Sequence, residues 1–232
     1  MIWALHGAFG DAKDWDALAA SLGPDRLVAV DLWADEHEAP LRAWADAFNR
    51  HVAAVDSAPV LLGYSMGARL GLHALIADPH LWKGAILVAP HPGLLDERAR
   101  LSRREQDRQW ITRFDELPWS DFWREWTRQP VLATPDPRPL PPERRARRRC
   151  LELWSLSEQD DLRPELGRIE CPVQWVTGEN DPKFTAIASG MTPLVPGSEQ
   201  LTISGAGHRV PWDTPELFAD LVDGFVTGLQ VG

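Results

Sequence analysis

The sequence predicts an α/β protein: a mostly parallel sheet of about six strands, helices on both faces, and a helical insert. Three observations carry this. Short apolar runs bounded by turn residues alternate with longer helical patterns, as βα units do. One stretch, 92–162, offers no strand candidate and interrupts that alternation. A Gly-x-Ser-x-Gly also lies where a strand pattern gives way to a helical one.

In chain order, the strand candidates are Ile2–Leu5, Leu27–Val30, 60–62, 85–89, 173–177 and 200–203. Each is too short for a helix and is followed by a polar or Gly-bearing turn. Leu41, Trp44, Ala45, Phe48, Val52 and Val55 recur at helical spacing and predict an amphipathic helix over 40–56, with Pro40 in its first turn. Leu217, Phe218, Leu221, Val222 and Phe225 predict a closing helix, with Thr214 as N-cap and Pro215 at its first position. The stretch 92–162 holds five tryptophans (Trp110, Trp119, Trp123, Trp126 and Trp154) and a Pro-rich break at 130–142. It reads as a helical cap laid over the carboxyl edge of the sheet. At 232 residues the chain has the length of one domain, with 1–91 and 163–232 as its core and 92–162 as the insert.

The formal net charge of −10 argues against nucleic acid or an anionic membrane as partner, since either repels such a surface. A small molecule is the expected ligand. Fourteen of the twenty-one arginines fall between Arg98 and Arg149, and Lys is nearly absent. Arginine grips carboxylates through a rigid, bidentate fork, so this run marks either an anion-holding segment or a solvated face paired with Glu and Asp. Cys150 and Cys171 match neither a metal-ligand spacing nor a disulfide framework. No export leader and no membrane-length apolar run is visible, so the expected location is the cytoplasm.

The chemistry concentrates at Gly63-Tyr64-Ser65-Met66-Gly67. Between a strand and a helix this pattern is a nucleophile elbow, a turn too sharp for bulky neighbours that lifts a serine hydroxyl clear of the backbone. That hydroxyl is a weak nucleophile and needs a base, which in turn needs an orienting group. Asp181 follows the strand at 173–177, and His208 follows the strand at 200–203, both in loops at carboxyl strand ends. Ser65, Asp181 and His208 are therefore the expected catalytic triad. Met66, just past the serine, and Ala8, after the first strand, are expected to point backbone N–H groups at developing negative charge. His6 reads as a loop brace, and His37, His51, His73, His80 and His91 as surface or packing residues.

These residues resemble the α/β-hydrolase superfamily: His6-Gly7, the elbow with Arg69 four residues past the serine, Gly178-Glu179-Asn180-Asp181, and Gly207-His208. Tyr64, Arg69, His91-Pro92-Gly93-Leu94, Asp107-Arg108-Gln109-Trp110, Trp126 with Gln129-Pro130-Val131, and Asp181-Pro182-Lys183-Phe184 resemble more narrowly the 2-succinyl-6-hydroxy-2,4-cyclohexadiene-1-carboxylate synthases of menaquinone biosynthesis. The resemblance implies an α/β-hydrolase fold and a lyase in which the triad abstracts a proton and pyruvate is expelled, without metal or organic cofactor. It implies a polycarboxylate substrate contacted by Tyr64, Arg69, Arg103 and Trp126, and by one further arginine among Arg144, Arg145, Arg147, Arg148 and Arg149. The sequence departs from these relatives at Ala8, where they carry a bulky residue, and at Asp31-Leu32-Trp33-Ala34-Asp35, where they carry Pro-Gly-His-Gly. It also begins directly at the first strand, without the leading hairpin many relatives have. A carboxylester or thioester hydrolase working through a Ser65 acyl-enzyme uses the same triad and stays open at this stage, as does a non-catalytic ligand-binding relative.

Overall fold

Six strands, β1 (Ile2–Leu5), β2 (Leu27–Val30), β3 (Val60–Tyr64), β4 (Gly84–Val88), β5 (Val173–Gly178) and β6 (Ser198–Ile203), form one sheet in the order β2-β1-β3-β4-β5-β6. Every pairing among them is parallel. The computed structural model describes residues 1–34, 37–132, 136–143 and 145–231. β1, β3 and β4 are buried along their whole length, which is why they read as unbroken apolar runs, whereas the edge strands β2 and β6 are partly exposed. Register places Ile2 beside both Leu27 and Val60, so β1 is the point from which the chain winds in both directions. Ligands in open parallel sheets bind at that reversal, beyond the carboxyl ends of the strands.

The strand pleat divides the core in two. Trp3, Leu5, Leu61 and Leu87 face α2 (Leu41–Val55) and α3 (Met66–Ala77), while Ile2, Ala4, Leu62 and Ile86 face α1 (Asp16–Leu22) and the closing helix. Pro40 caps α2 with φ −57° and ψ 156°, one position before the first turn where the sequence pattern set it, because its extended ψ cannot enter the helix.

Between β4 and β5 the chain leaves the sheet for α4 (Glu97–Glu116), α5 (Trp119–Trp126), 3₁₀ turns at Pro130–Leu132 and Arg145–Arg148, α6 (Arg149–Glu152) and a further 3₁₀ stretch at Arg163–Arg168. The ends of this insert meet where the Leu162 N–H donates to Pro92 O at 2.7 Å. An aromatic cluster of Trp110, Phe114, Trp119, Phe122 and Trp126 holds α4 on α5, and Phe9 from the core inserts into it, 4.5 Å from Trp126 and 4.9 Å from Phe122 between ring centres. After β5 come α7 (Pro182–Met191), then β6, a short α8 (Val210–Asp213) and α9 (Pro215–Val231). Pro215 opens α9 as expected, but the Thr214 hydroxyl donates backward to Val210 O. Cys150 and Cys171 are both buried and unbridged. Among the described residues no helix is long and apolar enough to cross a membrane.

Candidate active site

Ser65 stands between β3 and α3 with φ 52° and ψ −106°, a left-handed backbone that a residue bearing a Cβ adopts only under constraint. The constraint is visible in its neighbours. A Cβ on Gly67 would lie 2.2 Å from Leu5 O, and one on Gly63 would lie 2.7 Å from the Ala68 Cα. Glycine at both positions lets α3 start directly against the end of β1. Met66, the first residue of α3, keeps one of the N–H groups that have no acceptor within a helix.

The base and its orienting group come from two loops fastened to each other. Glu179 N–H donates to Ile203 O and Asn180 N–H to Ala206 O, while the Glu179 carboxylate accepts from the Ser204 hydroxyl and the Gly205 N–H. Those two bonds hold Glu179 below the usual carboxylate range. Within this frame Asp181 Oδ2 lies 2.7 Å from His208 Nδ1, and His208 Nε2 lies 3.1 Å from Ser65 Oγ. A carboxylate only accepts, so Nδ1 carries the imidazole proton and Nε2 is left to accept from the serine hydroxyl. The His208 ring is held between Phe184, 4.5 Å away, and Tyr64, 5.6 Å away. The structure thus brings together the three residues that the sequence set on separate loops.

A cavity of about 260 Å³ opens over Ser65. Ala8 and Met66 border it on the core side with Tyr64, Arg69 and His208, and Arg103, Trp123, Trp126 and Leu156 border it from the insert. All four residues expected to touch substrate therefore line the same space. Arg69 is the most telling of them. Its guanidinium is buried and donates to Gln159 Oε1 at 2.9 Å and to Trp154 O at 2.6 Å, both neutral acceptors. Burial lowers it to about 9, and Arg103 pushes the same way. Arg103, by contrast, is matched by Asp107, whose carboxylate oxygens lie 2.9 and 3.0 Å from its Nε, and Asp107 is held in turn by the Ser155 hydroxyl. A buried cation whose hydrogen bonds go to neutral acceptors is costly, so the cavity is electrostatically suited to an anion. Burial also raises the Tyr64 phenol above its ordinary value, which keeps it a neutral hydrogen-bond donor.

His91, expected only in a packing or surface role, borders the cavity. Its Nδ1 accepts from the Gly93 N–H and its carbonyl accepts from Gln159 Nε2, so it belongs to the scaffold behind Arg69. Burial lowers it to about 3, so it is neutral at pH 7. His6 is the expected loop brace: Nδ1 is 2.9 Å from Gly7 O, and burial lowers it to about 4. Sequence reasoning passed over Lys183, Asp136, Arg138 and Arg209, which also line the cavity. Arg138 bonds Asp136 and Asp14, and Arg209 reaches Asp136 at 3.2 Å, joining the segment after α5 to the residue next to the histidine. Burial alone would raise Asp136, but its bonds from Arg138 outweigh that and hold it below the usual range.

The arginine run divides between both of its expected roles. Arg104, Arg108, Arg113, Arg124 and Arg145 pair with acids at the surface, whereas Arg103 and Arg138 reach the cavity. The further substrate-contacting arginine is not found among the described members of the second cluster: Arg145, Arg147, Arg148 and Arg149 do not line the cavity, and Arg144 lies outside the described residues, as does Asp35. Arg147 and Arg149 turn instead into the interior, onto backbone carbonyls of the loops after β1 and β2.

The profile of the alpha/beta hydrolase family matches residues 4–221. The chain is 30% identical to a 2-succinyl-6-hydroxy-2,4-cyclohexadiene-1-carboxylate synthase from Enterobacter sp. (strain 638), over 93% of this chain and 87% of that protein. It is also 30% identical to the enzyme of the same name from Salmonella paratyphi A, over 98% of this chain and 92% of that one. Among solved structures, MenH from S. aureus aligns with a TM-score of 0.81 at 24% identity, covering 99% of this chain and 94% of the other. The malate-bound esterase of Thermogutta terrifontis aligns at 0.73 and 19% identity, covering 98% and 89%. With the parallel sheet, the strained serine after β3 and a profile match running through nearly every element, the chain belongs to the α/β-hydrolase family.

Proposed function

We propose that the protein is a 2-succinyl-6-hydroxy-2,4-cyclohexadiene-1-carboxylate synthase-type lyase, eliminating pyruvate from an enolpyruvyl polycarboxylate. The observation that carries this reading is a hydrogen-bonded Ser65–His208–Asp181 relay opening on a cavity whose buried Arg69 donates to two neutral acceptors. The relatives from Enterobacter and Salmonella that share the length of the chain support it. In the proposed reaction a substrate carboxylate supplies the charge Arg69 lacks, and Arg103, Tyr64 and Trp126 fix the rest of the molecule. Ser65 Oγ takes a proton from substrate carbon as its own proton passes to His208 Nε2, and Asp181 stabilises the imidazolium. The C–H electron pair becomes a new C=C bond, the C–O bond to the enolpyruvyl group breaks, and the leaving enolate takes up the proton to end as pyruvate. Charge that develops on a conjugated oxygen is met by the N–H groups of Ala8 and Met66. Residues 92–162 act as a cap that supplies the far wall and excludes water. The protein works on a small anion in the cytoplasm.

The test is pyruvate release from authentic substrate by the parent and by Ser65→Ala. Release far above the spontaneous rate in the parent, lost in the folded variant, is the expected result; no release by the parent overturns the proposal. A second reading, ester or thioester hydrolysis, is favoured by the same strained serine in its relay with His208. It predicts a stoichiometric burst with an activated ester and turnover that continues after it.

A further inference from the structure

From the grip of the insert on the turn after β1, we infer that Arg147 is a positioning residue for the oxyanion site, fixing the turn that carries the Ala8 N–H. The inference rests on the role proposed above for Ala8. Residues 7–10 form a turn closed by the Gly10 N–H donating to Gly7 O at 3.0 Å. Its third residue is Phe9 at φ 55°, a left-handed position that glycine or asparagine fills without cost and a phenylalanine does not. Something must hold it there.

The insert holds it twice. The Phe9 ring, fully buried, is enclosed by Phe122 and Trp126. The Phe9 carbonyl accepts from Arg147 at 2.8 Å, and the same guanidinium nitrogen also donates to Gly10 O. Arg147 reaches Asp11 at 2.9 Å through its other terminal nitrogen and lies over the ring of Trp33, 5.3 Å from its centre. Trp33 adds a second donor to Gly10 O at 2.7 Å. A wholly buried arginine that bonds two adjacent carbonyls of a strained turn through one terminal nitrogen, while the other is anchored on Asp11, fixes those peptide planes. Released from it, Phe9 relaxes toward negative φ and the peptide ahead of Ala8 loses its aim at the space over Ser65. The oxyanion site is thereby assembled only when the insert is seated.

Phosphonylation of Ser65 by an activated phosphonate reads the oxyanion site without reference to the natural substrate. Arg147→Met is expected to slow labelling at least tenfold, and to lower kcat for pyruvate release by a similar factor with KM within about threefold. In Arg147→Ala, added guanidinium is expected to restore part of the rate. Arg145→Ala, on the same turn but at the surface, is expected to label as the parent does. A folded Arg147→Met labelled at the parental rate overturns the inference while leaving the lyase reading intact. A parent inert to phosphonate overturns the oxyanion reading and this inference with it. Should Arg147→Met fail to fold, Trp33→Phe, which removes the second donor to Gly10 and keeps a smaller ring under Arg147, decides: labelling slowed about threefold supports the role, and an unchanged rate overturns it.

Discussion

α3 and α4 meet the same cavity from opposite sides and are built on opposite rules. Every residue of α3 from Met66 to Ile76 is buried, and the helix serves the site through its first turn. Of the twenty residues of α4 only Asp107 and Phe114 are buried, and the helix serves the site through one polar stripe in which Asp107 holds Arg103. On the core side, position is set by backbone contact, with no space for even a methyl group on Gly67. On the insert side it is set by side-chain bonds that can be exchanged one at a time. Under the proposed function the difference predicts a division of labour: backbone packing in the core fixes the reacting groups, and side chains of α4 help to hold the charged substrate.

The largest expected effect tests the core half. Asp181→Asn keeps the shape but offers His208 Nδ1 an amide that can pair with the wrong tautomer, so kcat is expected to fall about 10⁴-fold with KM little changed. A loss under tenfold in steady-state pyruvate release would break the assignment of Asp181 as the orienting group. The next tests the seam between the halves. Asp136 is 5% exposed in its side chain and joins Arg138 to Arg209, so Asp136→Ala removes one shared counter-charge from two buried cations. Stability is expected to fall by about 3 kcal/mol, the usual cost of breaking a buried pair, in urea titration. KM is expected to rise as the insert loosens.

Arg69 belongs to both halves, since α3 carries it and the insert supplies Trp154 O and Gln159 as its acceptors. A charge-assisted contact is worth about 1.5–3 kcal/mol, so Arg69→Met is expected to raise KM roughly 10- to 150-fold. Arg103→Met is expected to do less, because Asp107 already engages that guanidinium. Equal effects in the two variants, measured by steady-state kinetics, would refute the ranking of Arg69 over Arg103 as the cation less fully matched by an acid.

What was legible in the sequence follows the same line. Central strands buried on both faces leave apolar runs, and Ser65 and Asp181 each follow such a run, while His208 follows the shorter apolar signal at the end of the edge strand β6, so the parallel sheet and the grouping of these three residues were readable from pattern alone. Strand ends were harder: β3 runs on through Gly63 and Tyr64, which carry turn-like chemistry, and β6 starts at Ser198 because an edge strand has no continuous apolar signature. The insert resisted reading because its bonds follow no period. Arg138 finds Asp14 across 124 positions, and nothing in the run 144–149 distinguishes the fully buried Arg147 from the exposed Arg145. A run of like charges reads as a solvated face, and only three-dimensional placement shows which member turns inward.

The smallest expected effect sharpens the comparison through pH. His6 and His73 are lowered to about 4 and His91 to about 3, in each case chiefly by burial, and all three lie on the core side; residues 92–162 contain no histidine. Each is neutral when folded and titrates near 6.5 when unfolded, so below that value the unfolded chain binds more protons. The stability these groups contribute is whole above pH 6.5, declines as pH falls toward 4 for His6 and His73 and toward 3 for His91, and changes little further once the folded groups also protonate. The interval from pH 6.5 to 5 isolates them, because ordinary carboxylates titrate lower. There the slope approaches about 1.4 kcal/mol per pH unit for each histidine. His73→Leu removes one such group without touching the cavity, and is expected to flatten the dependence of urea-derived stability on pH by about a third. Local opening of α3 in hydrogen exchange is expected to follow the same pH dependence, while α4 stays indifferent to it. An α4 that loosened in step with α3 would mean that the insert shares the electrostatics of the core, and the division between the two sides of the cavity would fail.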